Sequence, residues 1–381
     1  MRMVITPLPC RAKRKLYKAG KCLTACQPDP AQAGGQFTLT GLFNSMNLTR
    51  FLLFVIILPL LSFADKEPNY KEFRISGFAQ GTSYSLLYYA SDTLITRAQT
   101  DSIFVKIDSS LSVYKPYSLV SRFNRSRSGL QLDGMLGAVV RKSIDVSKKT
   151  EGAFDLTVQP LVQAWGFSAA RIRHLPDSQQ IDSLLNCVGM DHIRLKKNRL
   201  IKDKPCVEID VNGIAQGYSV DLLAAFLESK GIRNYLVELG GEIRVKGRKQ
   251  PSGERMTVGI ESPGDDSDGV LPITRTIRLD EGAITTSGNY RKFYQNGLKR
   301  ISHLINPKTG YPIENEMISV TVVAEDAMTA DAYDNALMNM GLKNAMRVVS
   351  KQKNLHAYFI YHKPDGSVAD TASPGFYRMI R

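Results

Sequence analysis

The chain has 381 residues, of which 43% are hydrophobic and 23% charged, a composition that supports a buried core. Its formal charge of +14 would suit a nucleic-acid partner, but the excess is unevenly spread. Residues 1–45 carry seven Lys and Arg against one Asp, and from Asp65 onward basic and acidic residues alternate without a polybasic block, which argues against nucleic-acid binding.

The front of the chain reads as a targeting segment. Met46-Asn-Leu-Thr-Arg50 is a short basic start, Phe51 to Leu61 is apolar around Pro59, and Ser62-Phe63-Ala64 supplies small residues where a signal peptidase reads before Asp65. The apolar run is shorter than the ~20 residues that span a bilayer, so residues 46–64 are expected to be a secretory signal peptide. The protein is therefore expected to be exported and periplasmic, or held at the inner membrane where the segment stays uncleaved. Residues 1–45 show no periodicity and are read as a start-site extension or disordered leader outside the fold. Cys10, Cys22 and Cys26 fall within it. Cys187 and Cys206 remain, and the sequence leaves open whether they pair in an oxidising compartment or lie apart as buried residues.

From Tyr70 the pattern mixes strands and helices. Phe73–Ile75 and Tyr84–Tyr89 have strand character, and Leu94–Leu111 has helical spacing through Ile95, Ile103, Ile107 and Leu111. Leu136–Val146 is a second helix. Glu208–Asp210 reads as a strand running into a helix over Gln216–Lys230, which ends at Gly231. Tyr235–Leu239 and Glu242–Lys246 are strands around a Gly240-Gly241 turn, with further strands at Met256–Glu261, Thr276–Leu279 and Ile318–Ala324. A helix over Thr329–Met340 stops at Gly341, a short one follows near Lys343–Ser350, and Ala357–His362 closes the chain as a strand. Strands and helices do not alternate as βαβ units, and no Pro/Gly/Ser linker divides residues 70–381, so one compact α+β domain over 65–381 is expected.

The phosphate-loop, zinc-protease and nucleophile-elbow motifs are all missing. Three stretches suggest chemistry instead. Asp210-Val-Asn-Gly213 leads to a helix start, where exposed N–H groups favour phosphate and a freed carbonyl at Gly213 could ligate a hard cation; the plainer alternative is an Asn-Gly turn and cap. Asp331 and Asn335 stand four apart on one helix face with Asp334 beside them, oxygen ligands suited to magnesium or simply a solvated face. Thr285-Thr-Ser-Gly288-Asn-Tyr290-Arg291 suits a loop around a polar ligand, and His303 before a turn could be an acid/base group or a structural histidine.

Taken in order, these stretches resemble the ApbE family of FAD:protein FMN transferases. The landmarks are Gly81-Thr82, Ser121-Arg-Phe-Asn124, Ala153-Phe154-Asp155, Trp165-Gly166, Asp210 with Gly213 and Gln216-Gly217-Tyr218, Gly240-Gly241, Thr286-Ser287-Gly288-Asn289-Tyr290, His303 with Pro307 and Gly310, and Asp331-Ala332. The resemblance runs from about Phe78 to Gly341 and implies an α+β fold of T-fold-related type around a deep FAD cleft. It implies FAD, the substrate, held by Gln80, Gly81, Thr82, Tyr114, Asn124, Ala153, Phe154, Asp155, Asp210, Gln216, Ser287, Gly288, Leu304 and Ile305. It implies Mg2+ on the Gly213 carbonyl with Asp331, Asp334 and Asn335, and His303 and Asp331 as catalytic groups. The implied reaction moves FMN from FAD to a threonine of an exported flavoprotein, in a Ser/Thr-Gly-Ala-Thr-like segment, and releases AMP. Three positions depart from the family's usual residues: Gln80 for Met, Gln216 for Lys or Glu, and Asn335 for Thr. The rival readings are an FAD pyrophosphatase, with water replacing threonine, and a flavin-binding protein without turnover.

Overall fold

The structure is a computed structural model that describes residues 69–168, 174–261, 273–289, 293–296 and 299–380. The extension 1–45, the signal segment 46–64 and residues Tyr290 and Arg291 lie outside the described residues. Among the described residues no helix is long and apolar enough to cross a membrane.

Strands β1 (Lys71–Ala79) and β2 (Thr82–Ala90) form a hairpin. Its turn is Gln80-Gly81, both at positive φ (52° and 77°), the geometry of a tight two-residue hairpin turn that follows the strands' own twist. Helix α1 (Arg97–Leu111) starts at a capping box between Thr96 and Gln99, which satisfies two of the helix's orphan donors. Then come α2 (Leu119–Arg125), β3 (Gly129–Gln131) and α3 (Gly134–Lys149), the last capped by Asp133. After a single-turn helix at Leu156–Val158 follow α4 (Gln159–Ala164), α5 (Ser178–Leu185), β4 (Ile193–Lys196) and β5 (Arg199–Lys202). Cys187 and Cys206 form a disulfide, the pairing that the sequence left undecided.

The second half supplies α6 (Asn212–Ser229), β6 (Asn234–Leu239), β7 (Glu242–Lys246), β8 (Met256–Glu261), β9 (Ile273–Leu279), β10 (Glu281–Gly288), β11 (Phe293–Asn296), β12 (Lys299–Ser302) and β13 (Met317–Ala324). Helix α7 (Ala327–Ser350), β14 (His356–His362), β15 (Val368–Ala372) and α8 (Pro374–Tyr377) complete it. Gly341 sits in the left-handed region at φ 69° and divides α7 into two helical pieces, as the sequence implied.

The frame is an eight-stranded antiparallel sheet in the order β1-β2-β6-β7-β10-β13-β14-β15. One face buries Tyr84, Leu86, Tyr235 and Val320 against helices α6 and α7, through Val220, Leu223, Ala336 and Leu337. The opposite face buries Leu236, Val245 and Tyr358 against the β8–β9 hairpin and Phe376 of α8. Strand patterning therefore has to satisfy two cores, and this explains the elements that sequence reading missed. Strand β10 lies between β7 and β13, and its second half, Thr285–Gly288, is strand where the sequence suggests part of a ligand-wrapping loop. Thr286 and Thr321 share a hydroxyl hydrogen bond of 2.9 Å across the ladder, so the neighbouring strand satisfies a polar side chain in a central strand. Glu208–Asp210, read as a strand, is extended but joins no ladder; the Asp210 N–H donates instead to the Leu156 carbonyl (2.7 Å).

Candidate active site

Helices α6 and α7 cross at Gly217. A Cβ there would fall on the Ala327 carbonyl oxygen and lie 2.7 Å from Asp331 Cβ, so only glycine permits the approach. The crossing delivers the Gly217 N–H to Asp331 Oδ2 at 2.8 Å. Asp221, one turn further along α6, accepts from the backbone N–H groups of Ala327 and Met328 (2.9 Å each) and from Arg244 Nη1 (2.7 Å). One carboxylate thus anchors the start of α7, and a helix N-terminus is where a negative charge is favourable.

The first turn of α6 is irregular. Gly213 has φ −81° and ψ 16°, and its carbonyl accepts from Asn335 Nδ2 at 3.3 Å. The same amide nitrogen donates to Asp331 Oδ1 (3.2 Å) and Asp334 Oδ1 (3.0 Å). Asp331 and Asp334 are 3% and 1% exposed. Burial, opposed by the Gly217 N–H and added to by repulsion from Asp221, pushes the Asp331 carboxyl up to about 7. Asp334 is raised well above the usual carboxylate range by burial, then by Asp331 and Glu242. Among the described residues no three His, Cys, Asp or Glu side chains gather as ligands; this cluster is two carboxylates, an amide and a carbonyl. Carboxylate, amide and carbonyl oxygens are the hard donors that Mg2+ takes, so the residues present fit that ion.

The cluster opens into a cleft of about 820 Å³, within the size range of small-molecule sites. The β1–β2 turn and the Gly240-Gly241 turn lie together at one end of the sheet, where Gly240 N–H donates to the Ser83 carbonyl (3.0 Å). They bring Gln80, Gly81, Thr82, Gly240 and Glu242 to the cleft. Gln80 is held by a 2.8 Å bond to Ser219 of α6. Gln216 reaches over Gly240, where its Nε2 would be 3.1 Å from an added Cβ. Ser287 and Gly288 enter from β10, with Ser287 Oγ 3.5 Å from Asn335 Oδ1. His303, Leu304 and Ile305 follow β12, and the His303 ring stands edge-on to Phe167 with centroids 6.3 Å apart.

Of the residues expected from the sequence, the structure brings all but one to this cleft: Gln80, Gly81, Thr82, Tyr114, Ala153, Phe154, Asp155, Asp210, Gly213, Gln216, Ser287, Gly288, His303, Leu304, Ile305, Asp331, Asp334 and Asn335. Asn124 is the exception and a correction. Its amide donates to the Ile209 carbonyl (2.9 Å) and its Oδ1 accepts the Ile209 N–H (2.8 Å), so both ends are spent holding the segment that precedes α6. Asp155 lines the cleft but also ties the wall together. Its oxygens accept from Thr157 N–H (2.7 Å) and Met190 N–H (3.1 Å), and burial raises its carboxyl. Sequence reading missed Asp108, Lys115, Phe167, Glu242 and Asn339, which also line the cleft. No local pattern marks them, because separate elements deliver them.

An antiparallel sheet backed by two crossed helices, with two buried carboxyls at one end of a deep cleft, is an architecture shared with transferase enzymes of known structure. It matches the solved structure of the flavin transferase ApbE from Vibrio cholerae, with a TM-score of 0.73 and 34% identity over 81% of this chain and 99% of that one. It also matches the apo flavinyl transferase ApbE from Pseudomonas stutzeri, with a TM-score of 0.72 and 29% identity over 81% of this chain and 97% of the other. A curated FAD:protein FMN transferase from Vibrio cholerae is 35% identical over 84% of this chain and 97% of its own length; one from Escherichia coli is 36% identical over 72% and 78%. The ApbE family model matches residues 80–359. The chain belongs to the ApbE family.

Proposed function

We propose that this protein splits FAD and transfers its FMN half to a threonine hydroxyl of a partner protein, releasing AMP, with Mg2+ held by Asp331, Asp334, the Gly213 carbonyl and Asn335. The observation that carries this reading is the convergence of two buried carboxylates, an outward-turned carbonyl and an amide on one end of the cleft. The names of the relatives support the flavin and protein substrates.

In this reaction the acceptor oxygen forms a bond to the FMN phosphorus while the pyrophosphate P–O bond breaks, and AMP departs with the bridging oxygen. When bound, Mg2+ would neutralise the pyrophosphate charge that repels the incoming oxygen. His303 takes the hydroxyl proton, a role suited to a histidine at the cleft wall, with Asp331 or Asp334 as the runner-up base. Phe154, Leu304 and Ile305 give the cleft an apolar wall, and an apolar wall against a bound flavin would favour a threonine hydroxyl over water. The acceptor is expected to be an exported flavoprotein carrying a Ser/Thr-Gly-Ala-Thr-like segment.

We place the protein outside the cytoplasm, in the periplasm, a reading that the Cys187–Cys206 disulfide supports, since such bonds persist in oxidising compartments. The test is product analysis with FAD, Mg2+ and a threonine-containing acceptor, using protein from native cells, whose N-terminus should be Asp65 by mass spectrometry. A flavin-labelled acceptor plus AMP is expected. Free FMN would make it a pyrophosphatase, and intact FAD would leave a binding protein.

A further inference from the structure

One side-chain nitrogen collects four oxygens. Asn335 Nδ2 lies 3.3 Å from the Gly213 carbonyl, 3.0 Å from the Asp331 carbonyl, 3.2 Å from Asp331 Oδ1 and 3.0 Å from Asp334 Oδ1. An amide has two hydrogens to share among them, so the arrangement is one donor group, positive only through its N–H dipoles, surrounded by more acceptors than it can satisfy. The two carboxylates are buried side by side, which is unfavourable unless something positive compensates. Among the described contacts of Asp334 Oδ1, the amide is the side-chain donor that bridges it to Asp331.

The other end of the amide faces a group that can serve two orientations. Asn335 Oδ1 stands 3.5 Å from Ser287 Oγ, and a hydroxyl both donates and accepts. A half-turn of the amide about its last side-chain bond exchanges its ends. The NH2 then donates to Ser287, and Oδ1 joins the Gly213 carbonyl, Asp331 Oδ1 and Asp334 Oδ1 as a fourth hard oxygen.

Resting on the metal site proposed above, we propose that Asn335 and Ser287 form a two-position amide switch in which the Asn335 NH2 substitutes for the cation until Mg2+ displaces it. The switch keeps α6 and α7 in register without metal. It also makes the cation compete with an internal donor, so the site binds Mg2+ more weakly than one with a hydroxyl at position 335.

The test compares the wild-type protein with Asn335→Thr and Ser287→Ala, by thermal melting in EDTA and by calorimetric titration with Mg2+. Asn335→Thr should melt about 4 °C or more below wild type in EDTA, from loss of charge-assisted bonds in a domain of this size. It should recover with saturating Mg2+, and bind Mg2+ about tenfold more tightly. Ser287→Ala should melt close to wild type in EDTA, since the bond it loses there is long at 3.5 Å, yet bind Mg2+ about tenfold more weakly, because the rotated NH2 loses its acceptor. If wild type binds Mg2+ but Asn335→Thr matches it in both measurements, the switch is overturned and the metal site stands. If wild type takes up no Mg2+, the metal site falls and the switch with it. Should Asn335→Thr fail to fold, Ser287→Ala decides alone: unchanged Mg2+ affinity overturns the switch.

Discussion

Asp331 has two jobs that its position in the sequence does not separate. Its helix-face spacing with Asn335 points to a ligand whose loss should hardly touch stability. The structure corrects that expectation, because Asp331 Oδ2 also accepts the buried Gly217 N–H. Removing the acceptor leaves that donor unsatisfied, at a cost of about 1–3 kcal/mol. The two substitutions should therefore diverge. Asp331→Asn keeps an oxygen for Gly217 but loses the charge and the acceptor for Asn335, so flavin transfer should fall by roughly a hundredfold or more while melting falls less than in the alanine variant. Asp331→Ala should lose both activity and a few degrees of melting temperature. Steady-state rates and melting curves for both variants check this; wild-type transfer by Asp331→Asn would remove Asp331 from the chemistry.

At the scale of elements, the site depends on how closely α6 and α7 approach. Gly217 is the contact point, and an alanine methyl there would meet backbone as well as Asp331 Cβ. Backbone cannot yield as a flexible side chain can, so Gly217→Ala should destabilise by about 3 kcal/mol, at the upper end of overpacking costs. Chemical denaturation measures this, and a variant within about 0.5 kcal/mol of wild type would mean that the helices can separate freely. The element boundaries also show what local pattern conveys. Helix α3 carries one apolar stripe, whereas α6 is apolar nearly all round because it is packed on most sides, and both were visible from the length of their apolar pattern. Strand β10, buried on both faces and rich in hydroxyls, carries no alternation at all.

For the molecule as a whole, the buried carboxyls set a pH dependence. The folded-state values of Glu238 (about 6) and Asp331 (about 7) are raised, first by burial, and Asp334 moves the same way. A raised carboxyl stabilises the fold most below its unfolded pKa, and that contribution is lost as pH rises through the folded value. His356, held low by burial, works in the opposite direction, but below its ordinary value of about 6.5. In EDTA, stability should therefore fall by roughly 1 kcal/mol between about pH 6.5 and pH 8. Mg2+, which in the function proposed above would bind the deprotonated pair, should stabilise more at the upper end. Urea titrations across that range test both signs, and a stability that climbs in EDTA would contradict the buried pair as the controlling groups.

The chain's own order of residues was enough to determine the α+β class, the main helices, the family and nearly all the cleft residues. These depend on side-chain periodicity and on short motifs whose meaning survives without contacts. Only the tertiary structure decided that Asn124 spends its amide on Ile209 rather than on a ligand, and that Cys187 pairs with Cys206. It also decided that Asp108, Lys115, Glu242 and Asn339 share the cleft with Asp331. A side chain's role there depends on which partner arrives from a distant element. Asn335 reaches Gly213 across 122 positions of sequence, and no local pattern encodes the closeness that Gly217 allows.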